Sequence, residues 1–272
     1  MIQCNNCGSN NRKVKYPKCP DAAGKSFYDI IECPECGLIY TKTENIDTES
    51  IYDESYYKEI YPDYFKDKKV HLLNARTKLK KIEKYFGKGS ICEIGCAFGF
   101  FLDCARDMGW DVTGFEISDF SREYAVNNLG LPVYKNFLEK AHSKLFDIIC
   151  MFDTIEHLED PSALIDRCCS LLRPGGGLVI TTGDIGSPHA KLFGKKWRLI
   201  TPPEHLFFYS KKTLGDLLKK HSFNVVYCGY QSKYFNFFSI IEYLVGIKSG
   251  KLPIIPLKIN TLDVMTVIAE KH

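Results

Sequence analysis

Two glutamate–histidine pairs carry the side chains best suited to take a proton from a substrate. They are Glu156 with His157, and Glu204 with His205. An imidazole with its ordinary pKa of about 6.5 accepts a proton near neutral pH, and an adjacent carboxylate stabilises the imidazolium that forms. His205 is the preferred base, with Glu204 as its orienter, because it closes a long segment after a predicted strand, where a substrate would bind. His157 is the second candidate. As structural alternatives, the second pair could cap the following helix, and the first could bond to loop and sheet.

A glycine-containing turn after a short apolar run suits an adenosine ligand. Gly95 and Gly99 allow bare backbone to approach a ligand between a strand and a helix. Glu116 ends the next apolar run, where a carboxylate can accept hydrogen bonds from both hydroxyls of a ribose. A dinucleotide is disfavoured, because Leu102 stands where the third glycine of its motif would fall. Glu93 favours a cationic cofactor, since a carboxylate repels phosphate and attracts an ammonium group.

Residues 93–99 resemble motif I of the class I S-adenosylmethionine-dependent methyltransferases, (D/E)-x-G-x-G-x-G, with Ala97 in place of the middle glycine. An alanine is compatible with this turn if its φ is negative. The resemblance implies S-adenosylmethionine as the cofactor, and the family recognises the adenine amino group near Asn136. Ligands of open α/β sheets bind outside the carboxyl ends of the strands. The predicted contacts therefore follow successive strands: Glu93, Gly95, Ala97, Gly99, Glu116, Ile117, Asn136, Phe137 and Phe152.

The two glutamate–histidine pairs resemble different branches of this family. In the ubiquinone-pathway O-methyltransferases, a carboxylate-x-x-Glu-His group is associated with a divalent cation, and Asp153, Glu156 and His157 fit that pattern. Their spacing would put all three on one side of a helical turn. A purely hydrogen-bonded network is the preferred interpretation over a cation site. Glu204 and His205, combined with a four-cysteine unit, resemble sugar C-methyltransferases.

These resemblances imply methyl transfer to a hydroxyl of a small biosynthetic acceptor, such as a sugar or its nucleotide- or lipid-linked form in polysaccharide biosynthesis. The alternatives are a sugar carbon and a hydroxyl of a quinone or natural product. A different class of function is a non-catalytic cofactor-binding or zinc interaction module.

Four cysteines near the start of the chain predict a structural zinc site. They form two C-x-x-C-G knuckles, in which the glycine lets backbone amides turn toward the sulfurs. The ligands would be Cys4, Cys7, Cys33 and Cys36. Buried thiol pairs and a redox motif are the alternatives, and the duplication of the knuckle argues against both. A unit this small needs its metal to fold.

The pattern of apolar runs predicts an α/β fold with a Rossmann-like, seven-stranded methyltransferase sheet and a small zinc-ribbon-like unit before it. Strands are expected at 90–94, 111–116, 132–135, 146–152, 177–182, 223–230 and 262–270, and helices near 99–108, 118–128, 161–172 and 210–221. The family resemblance places the last strand antiparallel, beside the fifth. We divide the chain into a zinc-binding unit (1–45), a tyrosine-rich lid with a linker helix (46–88) and a methyltransferase domain (89–272).

Three segments around this core have simple interpretations. The lid contains Tyr52, Tyr56, Tyr57, Tyr61 and Tyr64, which could close over a cofactor or belong to a linker helix. Residues 66–84 form an amphipathic helix whose lysines face water. The apolar stretch 234–247 is too short to span a bilayer and packs over the acceptor pocket, rather than touching a lipid substrate.

Composition narrows the class of partner. The chain has 272 residues and a net charge of +3, with 36 basic and 33 acidic side chains, so no strong field attracts nucleic acid. It has no signal-peptide pattern and no membrane span of about 20 apolar residues. Without a secretory signal, the 12 cysteines favour reduced thiols or metal ligands. We expect a cytoplasmic protein that binds a small-molecule acceptor. The sequence does not indicate an oligomeric state.

Overall fold

The computed structural model describes residues 3–21, 24–42, 65–135, 137, 145–245 and 253–272, with backbone only at 243–245. The tyrosines proposed for the lid and Asn136 lie outside these ranges. Strands are β1 Lys13–Pro20, β2 Phe27–Glu32, β3 Ile39–Thr41, β4 Ser90–Ile94, β5 Asp111–Phe115, β6 Val133–Tyr134, β7 Phe146–Phe152, β8 Leu172–Gly183, β9 Phe207–Phe208, β10 Phe223–Tyr230, β11 Lys233–Asn236, β12 Pro256–Ile259 and β13 Val264–Lys271. Helices are α1 Lys68–Ile82, α2 Phe100–Asp107, α3 Asp119–Leu129, α4 Pro161–Leu171, α5 Pro188–Phe193, α6 Lys211–Lys220 and α7 Phe237–Val245.

The central sheet confirms the predicted fold class. Its seven strands run in the order β10-β13-β8-β7-β4-β5-β6. Strands β4 to β8 pair in parallel, whereas β13 is antiparallel to both β8 and β10. The last strand therefore lies beside the fifth strand of this sheet, as expected. The carboxyl ends of the parallel strands meet at one edge of the sheet, where the predicted site residues follow them.

Near-continuous apolar strands bury both faces of this sheet. Ile149 and Met151 of β7 belong to one apolar cluster, and Ile148 and Cys150 belong to another, because successive side chains of a strand point to opposite faces. Helix α1 packs Leu79 and its apolar neighbours into the second cluster. Two covered faces make the sheet a rigid support for the loops at its carboxyl edge.

Two local details differ from the sequence-based expectations. Strand β8 begins at Leu172 rather than near residue 177, because Leu172 already pairs with Phe146 of β7. Residues 173–176 are passed over in a register shift before Gly177 pairs with Ile148. The segment 183–203 was expected to lack regular structure, but it contains helix α5 and a 3₁₀ turn at Gly194–Lys196. Ser187 caps α5 by accepting a hydrogen bond from the amide of Ala190.

The N-terminal strands form a second sheet, in the order β1-β2-β3-β9. Its fourth strand, β9, comes from the segment that contains His205. A two-stranded sheet of β11 and β12 flanks α7, and Asn74 of α1 exchanges two hydrogen bonds with the backbone of Tyr234 in β11. Within the described residues, every helix is too short or too polar to cross a lipid bilayer.

Candidate active site

The turn after β4 has the open backbone that a ligand-binding loop needs. Gly95, Ala97 and Gly99 have φ values of +75°, +45° and +77°. A Cβ on Gly95 would lie 2.6 Å from Thr154 Oγ1, so only glycine fits there. The condition stated for an alanine in this turn, a negative φ, is not met. Its amide donates a 2.8 Å hydrogen bond to Glu116 Oε2, which offsets the cost of about 1 kcal/mol or more for a left-handed alanine.

Glu116 joins the turn after β4 to the end of β5. It is buried, and its Oε1 accepts a 2.9 Å hydrogen bond from the amide of Ser118. Burial raises the pKa of Glu116, while these backbone amides act in the opposite direction. Each carboxylate oxygen can accept a further hydrogen bond, so the two ribose hydroxyls of an adenosine could donate to the acceptor positions that Glu116 leaves open.

Glu93 has an orphaned buried oxygen beside the turn. The residue is 5% exposed, and none of the described residues hydrogen-bonds its Oε2. Burial raises the pKa of Glu93 to about 8. A buried carboxyl group without a partner is unfavourable, and an ammonium group of a ligand would satisfy it. The geometry therefore fits a cationic cofactor here.

Lys78 lies at the same edge and was missed by the sequence reasoning. The lysines of residues 66–84 were expected to face water, but the ammonium of Lys78 lies 3.6 Å from the ring centroid of Phe152. Burial lowers its pKa to about 8, whereas the nearby carboxyl groups of Asp153 and Glu93 raise it. A signal was available, since Lys78 follows the buried Ala75 by three residues and shares its helix face.

The remaining predicted cofactor contacts have different surroundings. Phe152 is partly buried and packs its ring on Phe101, with centroids 4.8 Å apart. Phe137 is a core side chain whose ring lies 5.0 Å from that of Phe115. Ile117 is 38% exposed next to Glu116, so it is available to a ligand.

Asp153 does not join the glutamate and histidine that follow it. The 3₁₀ turn begins only at Ile155, and Asp153 has a φ of +54°. Its Oδ1 accepts a 2.9 Å bond from Thr181 Oγ1, and its Oδ2 accepts a 2.8 Å bond from Lys233 Nζ. These partners hold the pKa of Asp153 well below its usual range, although burial opposes them. The predicted one-sided group of Asp153, Glu156 and His157 is therefore wrong.

The structure instead brings together Glu156, His157 and His205, whose potential ligand atoms all lie within 4.8 Å of one another. The two imidazole rings meet edge to face, with centroids 4.7 Å apart. Glu156 Oε2 is buried and hydrogen-bonds none of the described residues, and burial raises the pKa of Glu156 to about 8. Two imidazoles and a carboxyl group can accept or donate a proton. The same three side chains could also bind a divalent cation.

Backbone carbonyl groups set the tautomers of both histidines. His205 Nδ1 lies 2.8 Å from the carbonyl oxygen of Leu199, and His157 Nδ1 lies 2.8 Å from that of Glu204. A carbonyl oxygen can only accept, so each Nδ1 carries the proton and each Nε2 is an acceptor. Burial lowers the pKa of both residues, that of His205 to about 3, so the ordinary value assumed from the sequence does not apply.

The role expected for Glu204 is corrected by the same contacts. Its carboxylate makes no hydrogen bond to His205 in the structure. Its main-chain oxygen orients His157 instead. The group that orients His205 is the Leu199 carbonyl. Sequence reasoning missed it because every residue has a main-chain carbonyl, so the residue type does not indicate which one accepts the hydrogen bond.

The segment that presents Leu199 is held by a buried carboxylate that sequence reasoning also missed. Asp263, at the start of β13, is 0% exposed. It accepts hydrogen bonds of 3.0 to 3.1 Å from three side chains of the segment 183–203, namely His189, Trp197 and Arg198. Burial raises the pKa of Asp263, but hydrogen bonds from Thr261, Trp197 and Arg198 lower it by more.

Four free thiols meet beside the N-terminal sheet, in the segments before β1 and between β2 and β3. Cys4 Sγ lies 3.5 Å from Cys36 Sγ, and Cys7 Sγ lies 3.6 Å from Cys33 Sγ. All four sulfurs lie within 4.8 Å of one another, which fits a tetrahedral S₄ site. The knuckle glycines have φ values above +70°, and their amides bond the carbonyls of Cys4 and Cys33. The residues present therefore suit zinc.

Comparisons with known proteins agree with this geometry. A family profile described as a methyltransferase domain matches residues 63–227. Ubiquinone biosynthesis O-methyltransferase of Coxiella burnetii is 28% identical over 152 residues, which are 51% of this chain and 63% of that protein. The protein of the same name from Actinobacillus pleuropneumoniae is 30% identical over 132 residues, 42% of this chain and 55% of the relative. The matched region thus spans little more than half the length of these relatives.

Solved structures share the fold at low identity. The plantazolicin methyltransferase BpumL, in complex with SAH, superposes with a TM-score of 0.56 at 17% identity, over 83% of this chain and 94% of that one. A Thermotoga maritima protein, described as a SAM-dependent methyltransferase and possible histamine N-methyltransferase, gives a TM-score of 0.54 at 20% identity, over 79% and 98%.

Proposed function

Because this chain belongs to the class I S-adenosylmethionine-dependent methyltransferases, we propose that it methylates a hydroxyl of a small biosynthetic acceptor, such as a sugar or its nucleotide- or lipid-linked form. The observation that carries the proposal is an uncharged imidazole, His205, with Nε2 available as an acceptor at the edge of the sheet where the cofactor site lies. A hydroxyl acceptor must lose a proton, and this group can receive it.

The residues around the turn after β4 would hold the cofactor. Glu116 binds the ribose hydroxyls, and Glu93 binds the ammonium group of the methionine portion. Lys78 is a cation at the same edge and would bind the carboxylate of that portion. S-adenosylmethionine supplies an already activated methyl group, so the chain contributes placement, exclusion of water and removal of one proton.

His205 is a weak base in the free protein, so it is not expected to take the proton of a hydroxyl before methyl transfer begins. The hydroxyl proton becomes strongly acidic only as the new O–C bond forms, and His205 receives it at that stage. The hydroxyl would donate a hydrogen bond to His205 Nε2 and pass its proton there as the oxygen loses electron density to the methyl group. The Leu199 carbonyl accepts from Nδ1 throughout and stabilises the imidazolium that results. His157 and Glu156, both uncharged, lie beside His205 in this group.

A second candidate acceptor is the hydroxyl of a quinone or related natural product. It is favoured by the similarity to proteins described as ubiquinone biosynthesis O-methyltransferases. Zinc at the four cysteines would be structural in either case, because its four thiolate ligands leave no open position for a substrate.

The direct test measures transfer of labelled methyl from S-adenosylmethionine to a panel of nucleoside diphosphate hexoses, polyprenyl phosphate sugars and catechols. We expect an O-methyl product from a sugar-containing acceptor, identified by mass and by the carbon chemical shift of the new methyl group. Transfer only to catechols would support the quinone alternative. Binding of the cofactor without transfer to any acceptor would favour a non-catalytic module. A Glu116→Ala variant gives the background.

Affinity for S-adenosylmethionine is expected to be highest near pH 8. Burial raises the pKa of Glu93 and lowers that of Lys78, both to about 8. Binding needs the carboxylate and the ammonium, so below pH 8 the cofactor must displace a proton from Glu93. Affinity then falls by up to about tenfold per pH unit. Above pH 8, Lys78 loses its proton and affinity falls again.

Calorimetric titrations between pH 6 and pH 9.5 measure this profile. Glu93→Gln should remove the acidic limb. Lys78→Met should make the basic limb shallower and leave only the part that comes from the cofactor's own α-amino group, which loses its proton at about pH 8. An acidic limb that persists in Glu93→Gln, or a basic limb of unchanged slope in Lys78→Met, belongs to another group, and a flat profile in the parent protein would contradict both assignments.

A further inference from the structure

The N-terminal unit reaches the proposed base directly. Strand β3 pairs with β9 in antiparallel register, with Ile39 opposite Phe208 and Tyr40 opposite Phe207. The next residue, Thr41, lies at the position where this pairing meets the His205 peptide. Its hydroxyl donates a 2.6 Å hydrogen bond to the carbonyl oxygen of His205, and its amide donates a 2.8 Å bond to that of Leu206.

The His205 peptide is held from three directions. Thr41 bonds its carbonyl oxygen from the N-terminal unit. Its own amide donates to the carbonyl of Thr201, and the amide of the next residue, Leu206, donates to the carbonyl of Glu156 after β7. These bonds fix the backbone from which the imidazole reaches the Leu199 carbonyl.

Thr41 is 0% exposed, so its hydroxyl cannot be replaced by water without rearrangement. Apolar contacts also join β3 to the segment that contains His205. Leu38 and Tyr40 share one cluster with Leu206 and Phe207. Ile39 shares another cluster with Phe208. Loss of the hydroxyl would leave the His205 carbonyl unpaired in an apolar surrounding, and the peptide would turn toward another donor.

We propose that Thr41 is a positioning residue that acts through His205. By holding the His205 carbonyl, it keeps Nδ1 on Leu199 and so keeps Nε2 as the proton acceptor. The four-cysteine unit therefore completes the acceptor side of the site. The catalytic meaning of this inference rests on the proposed function, whereas the tautomer that it concerns can be observed without any acceptor.

The test uses the full chain labelled with ¹⁵N-histidine, with the His205 signals assigned by their absence in a His205→Gln variant. In the parent protein, long-range ¹H–¹⁵N spectra should show the Nδ1-protonated form of His205 as the main tautomer, and the ¹⁵N chemical shifts give its ratio to the Nε2-protonated form. Thr41→Val preserves the shape of the side chain and the strand pairing but removes the hydroxyl. We expect the ratio of Nδ1-protonated to Nε2-protonated His205 to fall about tenfold, the equivalent of one hydrogen bond. Affinity for S-adenosylhomocysteine should change by less than twofold.

Two matched variants separate positioning from packing. Thr41→Ser keeps the hydroxyl and should retain the parent tautomer, and Ile39→Val, which trims the same strand without a polar contact, should do the same. An unchanged tautomer in Thr41→Val would overturn the proposal, and so would an equal change in Thr41→Ser or Ile39→Val. If Thr41→Val does not fold, Thr41→Ser still decides, because a changed tautomer there contradicts the proposal. Absence of methyl transfer would refute the proposed function and leave the tautomer result intact.

Discussion

Replacing His205 by alanine is expected to lower turnover on the true acceptor by about 10²- to 10⁴-fold, the usual contribution of a positioned general base. The reason is geometric: the Leu199 carbonyl accepts a hydrogen bond from the Nδ1 proton, so Nε2 is the nitrogen of His205 that can receive the substrate proton. Cofactor affinity should stay nearly intact, since the predicted ribose contact, Glu116, belongs to a different turn. Single-turnover rates and calorimetry measure the two quantities separately.

His157→Ala and Glu204→Gln are the controls for this prediction. Glu204 contacts His157 through its main-chain oxygen, which glutamine retains, so Glu204→Gln should keep most of the turnover. His157→Ala should act through positioning or stability, with a smaller loss. If His205→Ala were nearly fully active and His157→Ala inactive but folded, the two histidines would exchange roles.

The second large effect concerns the metal. A Cys33→Ser/Cys36→Ser variant is expected to lose all of the zinc, one ion per chain, because two thiolates cannot complete a tetrahedral site. The sulfurs of Cys4 and Cys7 would remain without their partners. Since β3 belongs to this unit and pairs with β9, the variant should also lose the ordered His205 segment and become more sensitive to proteolysis. Elemental analysis of the purified protein measures the zinc.

Cys19→Ser is the matched control, because Cys19 is a buried free thiol in the same sheet and lies outside the four-sulfur group. It should retain one zinc per chain. Full zinc in the double variant, or loss of zinc in Cys19→Ser, would show that the ligands have been wrongly assigned.

Features that depend on residues close together in the chain could be predicted from the amino-acid sequence. Apolar runs were sufficient for the seven strands of the central sheet, because a strand covered on both faces reads as a continuous apolar run. The short strands of the two smaller sheets and helices α5 and α7 were not predicted. The two C-x-x-C-G knuckles brought four sulfurs together, since each pair is local and the glycine permits the turn. Gly95 was likewise recognisable, because only glycine fits the close approach of Thr154.

Which side chains act together depends on how distant segments pack. Asp153 turned away to Lys233, whereas His205 arrived beside Glu156 and His157 from a segment almost fifty residues later. The conformation of Ala97 depended on Glu116, a residue of another strand end. Packing between elements sets these contacts. Helical periodicity within one segment does not predict contacts with another segment.

The tautomers of the two histidines show the physical reason most clearly. Their Nδ1 atoms are oriented by the main-chain oxygens of Leu199 and Glu204, and the His205 peptide is held by Thr41 from a different sheet. The chemistry of a side chain is known from the residue type, but every residue carries the same main-chain carbonyl group. Which carbonyl meets which imidazole is therefore determined by how the three segments pack.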